Sequence, residues 1–244
     1  MAGDLTRSLL TVGEFLENHN SDVFLNVLKL YNTAIDVKAS SRVKKSNLPE
    51  LDVWFQSELP AALKSRRDSP HLLHSELVKL MEWKLSRGKF RPRLVDLAAS
   101  NTNELVKQVT TEGLKLAKEN EPSRALAVLC KLRGVGPATA SSILVAAAPD
   151  KYVFFADEVA HAALGTTSLK YSEAEYLKLN DVIIEAANQI NKEQAMNESE
   201  GTCVERKFWT PHDVERTVWC YAILRQNKPE LLVKALITSK KTQT

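Results

Sequence analysis

Three cysteines, at 130, 203 and 220, are scattered over 244 residues. That is too few and too far apart for a disulfide framework, an iron–sulfur cluster or a zinc site. His71 and His74 likewise lack partners at metal-ligand spacing, so no transition metal is expected. No run approaches the roughly 20 apolar residues of a membrane span. Asp4 and Arg7 precede only the short run Leu9-Leu10-Thr11-Val12, so no signal peptide is expected. Charge of one sign is missing too: 33 Lys and Arg against 30 Asp and Glu leave a net +3. Any nucleic-acid surface must therefore be a local patch and not a global field. The expectation is a soluble intracellular protein.

Glycine is also scarce, eight residues in all, and what fills the chain instead repeats at three and four residues. Phe24, Val27, Leu28, Tyr31 and Ile35 form one apolar stripe; Leu77, Leu80, Met81 and Leu85 form another. Helices fit 173–190 and 211–224, the second with Thr210 as N-cap, Pro211 at the first position and Asp213 in the first turn. The one strand-like piece, Tyr152–Phe155, is too short to build a sheet. The fold class read from this is all-α. Breaks are expected at the basic stretch 38–47, at the polar stretch 192–203 and in a disordered tail from 238.

Two of the eight glycines stand together, in Leu132-Arg-Gly-Val-Gly-Pro-Ala-Thr-Ala140, between helix-like runs 125–132 and 138–147. Gly134 and Gly136 allow a tight reversal by taking positive φ. The second helix then begins on a Cβ-poor surface, where free backbone N–H groups admit a phosphate. Pro137 has no N–H, leaving Gly136, Ala138 and Thr139 as donors. Asp157 follows in Phe-Phe-Ala-Asp-Glu, after the second helix and a short connection.

These residues resemble the helix-hairpin-helix DNA glycosylase superfamily, the group of endonuclease III and the adenine glycosylases. The hairpin pattern and an aspartate at the start of the next helix carry the resemblance, over residues 121–165. It implies two helical units with a cleft between them: residues 70–165 with the hairpin and Asp157, and residues 1–69 plus 166–244 formed by the two chain ends. It also implies a monomer that grips duplex DNA without reading sequence, a role in base excision repair of damaged DNA, and a nuclear location if the source is eukaryotic. Members that also cut the backbone carry a lysine where this chain has Ala138, so the resemblance implies a monofunctional N-glycosylase, a hydrolase with no required cofactor. A structural monovalent cation on the carbonyls of residues 131–136 is the one ion such hairpins suggest.

Candidate site residues follow from this. Glycosidic cleavage passes through an oxocarbenium-like state, and Asp157 supplies the carboxylate that opposes the positive charge and orients water. As an aspartate at a helix start, it also reads as an N-cap; Glu158 reads as a solvated acid. Gly134, Gly136, Ala138 and Thr139 form the hairpin's DNA contact. The segment Ser86-Arg-Gly-Lys-Phe-Arg-Pro-Arg93 places Arg87, Lys89, Arg91 and Arg93 to neutralise phosphates, with Phe90 or Arg87 as a wedge. A lysine nucleophile displaced to Lys84 has no pattern in its favour. Two other classes carry the same features: a DNA-binding helix-hairpin-helix module without catalysis, and a helical protein that uses the hairpin to pack a partner. A carboxylate free in a concave pocket separates the first reading from these.

Overall fold

Short polar side chains set where the helices begin. The computed structural model describes residues 9–41, 47–66, 68–91, 93–199 and 207–241. Thr11 caps α1 (Val12–Leu16) in a reciprocal box with Glu14, and Asn20 caps α2 (Ser21–Leu28). There follow α3 (Tyr31–Ser40), α4 (Leu48–Val53), a π-helical turn Trp54–Glu58 and α5 (Leu59–Ser65). The middle of the chain holds α6 (His74–Arg87), α7 (Arg93–Ala99), α8 (Asn103–Lys118), α9 (Pro122–Leu129), α10 (Pro137–Ala147) and α11 (Asp157–Leu164). The chain then forms α12 (Glu173–Ser199), α13 (Pro211–Asn227) and α14 (Pro229–Lys241). Thr210 caps α13 with Asp213 answering from the third position, and Pro211 opens it. All regular structure among the described residues is helical, and none of these helices is long and apolar enough to cross a membrane.

Both apolar stripes face inward. Phe24, Val27, Tyr31 and Ile35 are buried, as are Leu77, Leu80, Met81 and Leu85. The start of the chain packs on its end: α1, α2 and α3 lie against α13, and α2 also meets α14. Between them, α6 contacts α4, α7 and α10. At the π turn, Phe55 stacks on Trp83 of α6 with ring centroids 3.5 Å apart. A local i→i+5 step widens one turn and re-aims the side chains after it.

The boundaries differ from expectation in several places. The helix expected over 173–190 continues to Ser199, through the first part of the polar stretch 192–203. Cys203 lies outside the described residues. In the tail expected to be disordered from 238, α14 runs to Lys241; residues 242–244 lie outside the described range. The run 125–132 is helical only as far as Leu129, and its helix starts earlier than expected, at Pro122.

Tyr152–Phe155 is extended yet pairs with no strand among the described residues. Its backbone is satisfied by side chains instead. Val153 donates its N–H to Asn180 Oδ1 (3.0 Å), and Phe155 donates to Ser141 Oγ (2.9 Å). Because Ser141 sits on α10, that bond fixes the approach to Asp157 relative to the hairpin helix.

Candidate functional site

The hairpin loop is set by a single glycine. Gly134 has φ +80°, in the left-handed region, and a Cβ there would sit 3.0–3.1 Å from Leu97 Cβ, Ala98 N and Leu94 O. It is both a turn and a close approach to α7. Gly136 departs from the expected positive φ. At φ −113° and ψ −177° it is extended backbone open to any residue, and a Cβ on it would meet nothing within 4 Å. Its value lies in the empty space beside it.

Asn101 braces this loop. Its Oδ1 accepts the Arg133 N–H (2.9 Å), while its Nδ2 donates to Arg133 O (3.1 Å) and to Ala98 O at the end of α7 (2.8 Å). The carbonyls of Leu132, Arg133 and Gly136 each already accept an N–H. The loop is thus held by hydrogen bonds from the chain itself.

Of the three donors expected at the start of α10, Thr139 is lost to the site. Its N–H turns back to Gly136 O (2.9 Å), and its side chain is buried. No side chain caps this helix, and the amides of Gly136 and Ala138 are left without an acceptor among the described residues.

Beside them opens a cavity of about 320 Å³, within the size range of small-molecule sites. Gly134, Gly136, Ala138 and Thr139 form one side. Asp157, Glu158 and Tyr171 form another, and Lys84, Arg87, Lys89 and Arg91 line the side that α6 and the segment after it contribute. The structure therefore gathers the hairpin, Asp157 and most of the basic segment around one space. Arg93 is exposed and lies outside the lining.

Asp157 is not the N-cap of α11. Ala156 holds that place, and Asp157 is the first helical residue. Its half-buried carboxylate accepts the Tyr171 hydroxyl proton through Oδ2 (3.0 Å). The helix dipole favours a negative charge in this first turn. Tyr171 is unusual itself: its φ is +55°, costly for a bulky residue. The backbone on either side is held by Glu175, which accepts N–H groups of Lys170 and Ser172. Burial first, then Asp157, raises the Tyr171 pKa, so the phenol remains a donor. The Arg91 guanidinium lies over its ring at 5.8 Å. Glu158, expected to be a solvated acid, is half-buried and paired with Lys38 of α3 at 3.3 Å.

Arg87 corrects the expectation of a phosphate contact. Its side chain is only 1% exposed and pairs with Glu215 of α13 at 2.8 Å. The guanidinium is packed among Trp83, Phe154 and Trp219. Burial opposes its charge most strongly, and Glu215, Tyr31 and Asp52 together more than offset it, so Arg87 stays cationic. Lys89, Arg91 and Arg93 remain exposed, as does Phe90, at 63%. Lys131 and Arg133 add two exposed cations on the hairpin loop that sequence reasoning passed over. Their positions inside the glycine motif were the available signal. Trp83 is core: fully buried, it donates its indole N–H to Asp52 (2.8 Å).

Lys84 is the other residue for which the sequence offered no pattern. It stands half-buried on the last turn of α6, and its ammonium makes no hydrogen bond or ion pair with the described residues. Burial lowers its pKa to about 8, with Arg91 adding to the drop and Asp157 opposing it. An amine, a carboxylate and a phenol thus share one cavity with Gly136 and Ala138. Compared with protein-family models, curated proteins and solved structures, the chain finds no match.

Proposed function

We propose that this chain is a DNA-binding helix-hairpin-helix protein of the glycosylase type, which removes a damaged or mismatched base by hydrolysing its N-glycosidic bond. The observation that carries the reading is Asp157: a carboxylate on the wall of a cavity whose other wall is the hairpin. The amides of Gly136 and Ala138, without acceptors among the described residues at the start of α10, suit a phosphate oxygen. Lys89, Arg91, Lys131 and Arg133 add sequence-independent attraction around it.

The chemistry follows from the charge. A nucleotide must leave the duplex stack before its glycosidic bond is accessible. As the bond to the base lengthens, C1′ becomes positive, and a carboxylate fixed nearby stabilises that charge. The Tyr171 hydroxyl holds one carboxylate oxygen in place and leaves the other for the attacking water. Ala138 offers no amine, so water is the nucleophile at this step.

The test is release of free base from a panel of lesion-bearing duplexes, comparing the parent with Asp157→Asn. The amide keeps the shape and cannot carry the charge, so release is expected to vanish while duplex binding persists. A panel in which every duplex is bound and none loses its base would leave the DNA-binding module as the function. Absence of duplex binding would remove both in favour of a helical interaction protein.

A further inference from the structure

We propose that the cavity takes a 6-oxopurine, hypoxanthine from adenine deamination being the damaged base of that class, and that Arg87 selects it through the paired acceptors O6 and N7. The inference rests on the proposed function in one respect, that a nucleobase enters this cavity. It adds a substrate class and a specificity-determining residue.

The side of the cavity built from α6 and α13 holds donors without acceptors. Arg87 of α6 and Trp219 of α13 both line it and are buried. Arg87 Nη1 donates to Glu215 (2.8 Å). Its Nε and Nη2, and the Trp219 indole nitrogen, have no hydrogen-bonding partner among the described residues. Lys84 lines the same side, also without a partner there. Buried donors are almost always paired, so three unmatched nitrogens on one cavity point to an acceptor that arrives with a ligand.

The shape of the guanidinium narrows the acceptor. Nε–H and the adjacent Nη2–H lie parallel in one plane, a fork that matches two acceptors side by side. Carboxylate and phosphate fit such a fork too, but Glu215 already balances the Arg87 charge. What remains is the donor edge of a neutralised pair, and Phe154, Phe155 and Trp219 line the space with it. A neutral planar ring with two adjacent acceptors meets both conditions. Guanine presents O6 and N7 in that arrangement, and arginine is their commonest specific partner. Hypoxanthine has the same edge. Adenine places an N6–H donor beside N7, so donor would face donor. 8-Oxoguanine carries a hydrogen on N7 and fails for the same reason.

The experiment uses the full chain and free deoxynucleosides at millimolar concentration, with binding followed by ligand-observed nuclear magnetic resonance. Deoxyinosine and deoxyguanosine should bind at least about tenfold more tightly than deoxyadenosine, 8-oxodeoxyguanosine and 7-deazadeoxyguanosine. The last keeps O6 and replaces N7 with carbon, so it tests one half of the fork alone. Arg87→Lys keeps the charge that Glu215 needs and loses the fork, so it should bring all the affinities within about threefold of one another. If that variant melts well below the parent, the 7-deaza comparison on the parent decides by itself.

Equal binding of deoxyguanosine and its 7-deaza form, or of deoxyinosine and deoxyadenosine, would overturn the proposal. Failure of every deoxynucleoside to bind would do the same. So would displacement of deoxyinosine by an equal amount of inorganic phosphate, since the fork would then be an anion site. Because no duplex and no bond cleavage enter these measurements, the two readings separate. Selective deoxyinosine binding with no base released from any duplex upholds the pocket and removes the glycosylase. Release of bases other than 6-oxopurines, without that selectivity, does the reverse.

Discussion

At the scale of single residues, the site turns on how Asp157 is held. The Tyr171 hydroxyl is the one side-chain donor on that carboxylate among the described residues, and Tyr171 occupies a left-handed backbone conformation to deliver it. Tyr171→Phe keeps the ring against Phe155, 5.6 Å away, and removes only the donor. Stability should change by about 1 kcal/mol or less. Under the proposed function, base release should fall about tenfold or more with duplex binding intact, because the carboxylate loses its fixed direction. Equal activity in Tyr171→Phe and parent would show that the hydroxyl does not position Asp157. Sequence spacing singled out Asp157, one helix and a short link after the hairpin, and the two line one cavity. Tyr171 was not legible, because nothing in a tyrosine announces positive φ, and its contact depends on the turn after Gly165. Lys84 was hidden for a related reason: its direction depends on how α6 is rotated against α10 and α11.

At the scale of elements, the hairpin separates two roles that the glycine pattern merges. Gly134 is conformational, with positive φ and three atoms of α7 about 3 Å from where a Cβ would stand; Gly136 is spatial. Gly134→Ala should therefore lower stability, by about 1–3 kcal/mol for the strained backbone and contact. Gly136→Ala should leave the melting temperature within about a degree of the parent, since a methyl there meets nothing. Under the proposed function it should nevertheless weaken duplex binding, because the methyl would stand where a phosphate is proposed to approach. Thermal melts and binding isotherms on the two variants give the contrast. Equal destabilisation by both, or no binding defect at Gly136, would end the assignment of separate roles. Helix identity was legible from the apolar stripes and the Thr210 cap. The loop brace was not, because Asn101 lies more than 30 residues from its partner Arg133 and carries no local motif.

At the scale of the whole molecule, the Arg87–Glu215 pair joins α6 in the middle of the chain to α13 near its end, across 128 residues of sequence. Composition suggested a surface cation in a basic turn. The three-dimensional packing instead draws Arg87 between three aromatic rings, because α13 brings a carboxylate to meet it. Such long-range pairing leaves no trace in a window of sequence. Burial raises the Glu215 pKa while Arg87 pulls it down, so the carboxylate depends on its partner to remain charged. Nearby, His212 is held neutral, its pKa lowered well below 6.5 by burial, then by Arg216 and Arg87. Removing the cation alone should therefore be severe. Arg87→Met leaves Glu215 buried and uncompensated, at a cost of about 3–5 kcal/mol. Glu215 would meet this by taking up a proton, so the variant should lose more stability as pH rises above the ordinary carboxylate range near 4.5. That follows because the folded state then binds more protons than the unfolded chain. The double variant Arg87→Met/Glu215→Leu removes both charges and should recover most of the loss, with the added pH dependence gone. Denaturant titrations of the parent, the two single variants and the double variant at about pH 5 and about pH 8 measure the coupling. If the two losses simply add, the pair is not what binds the middle of the chain to its end.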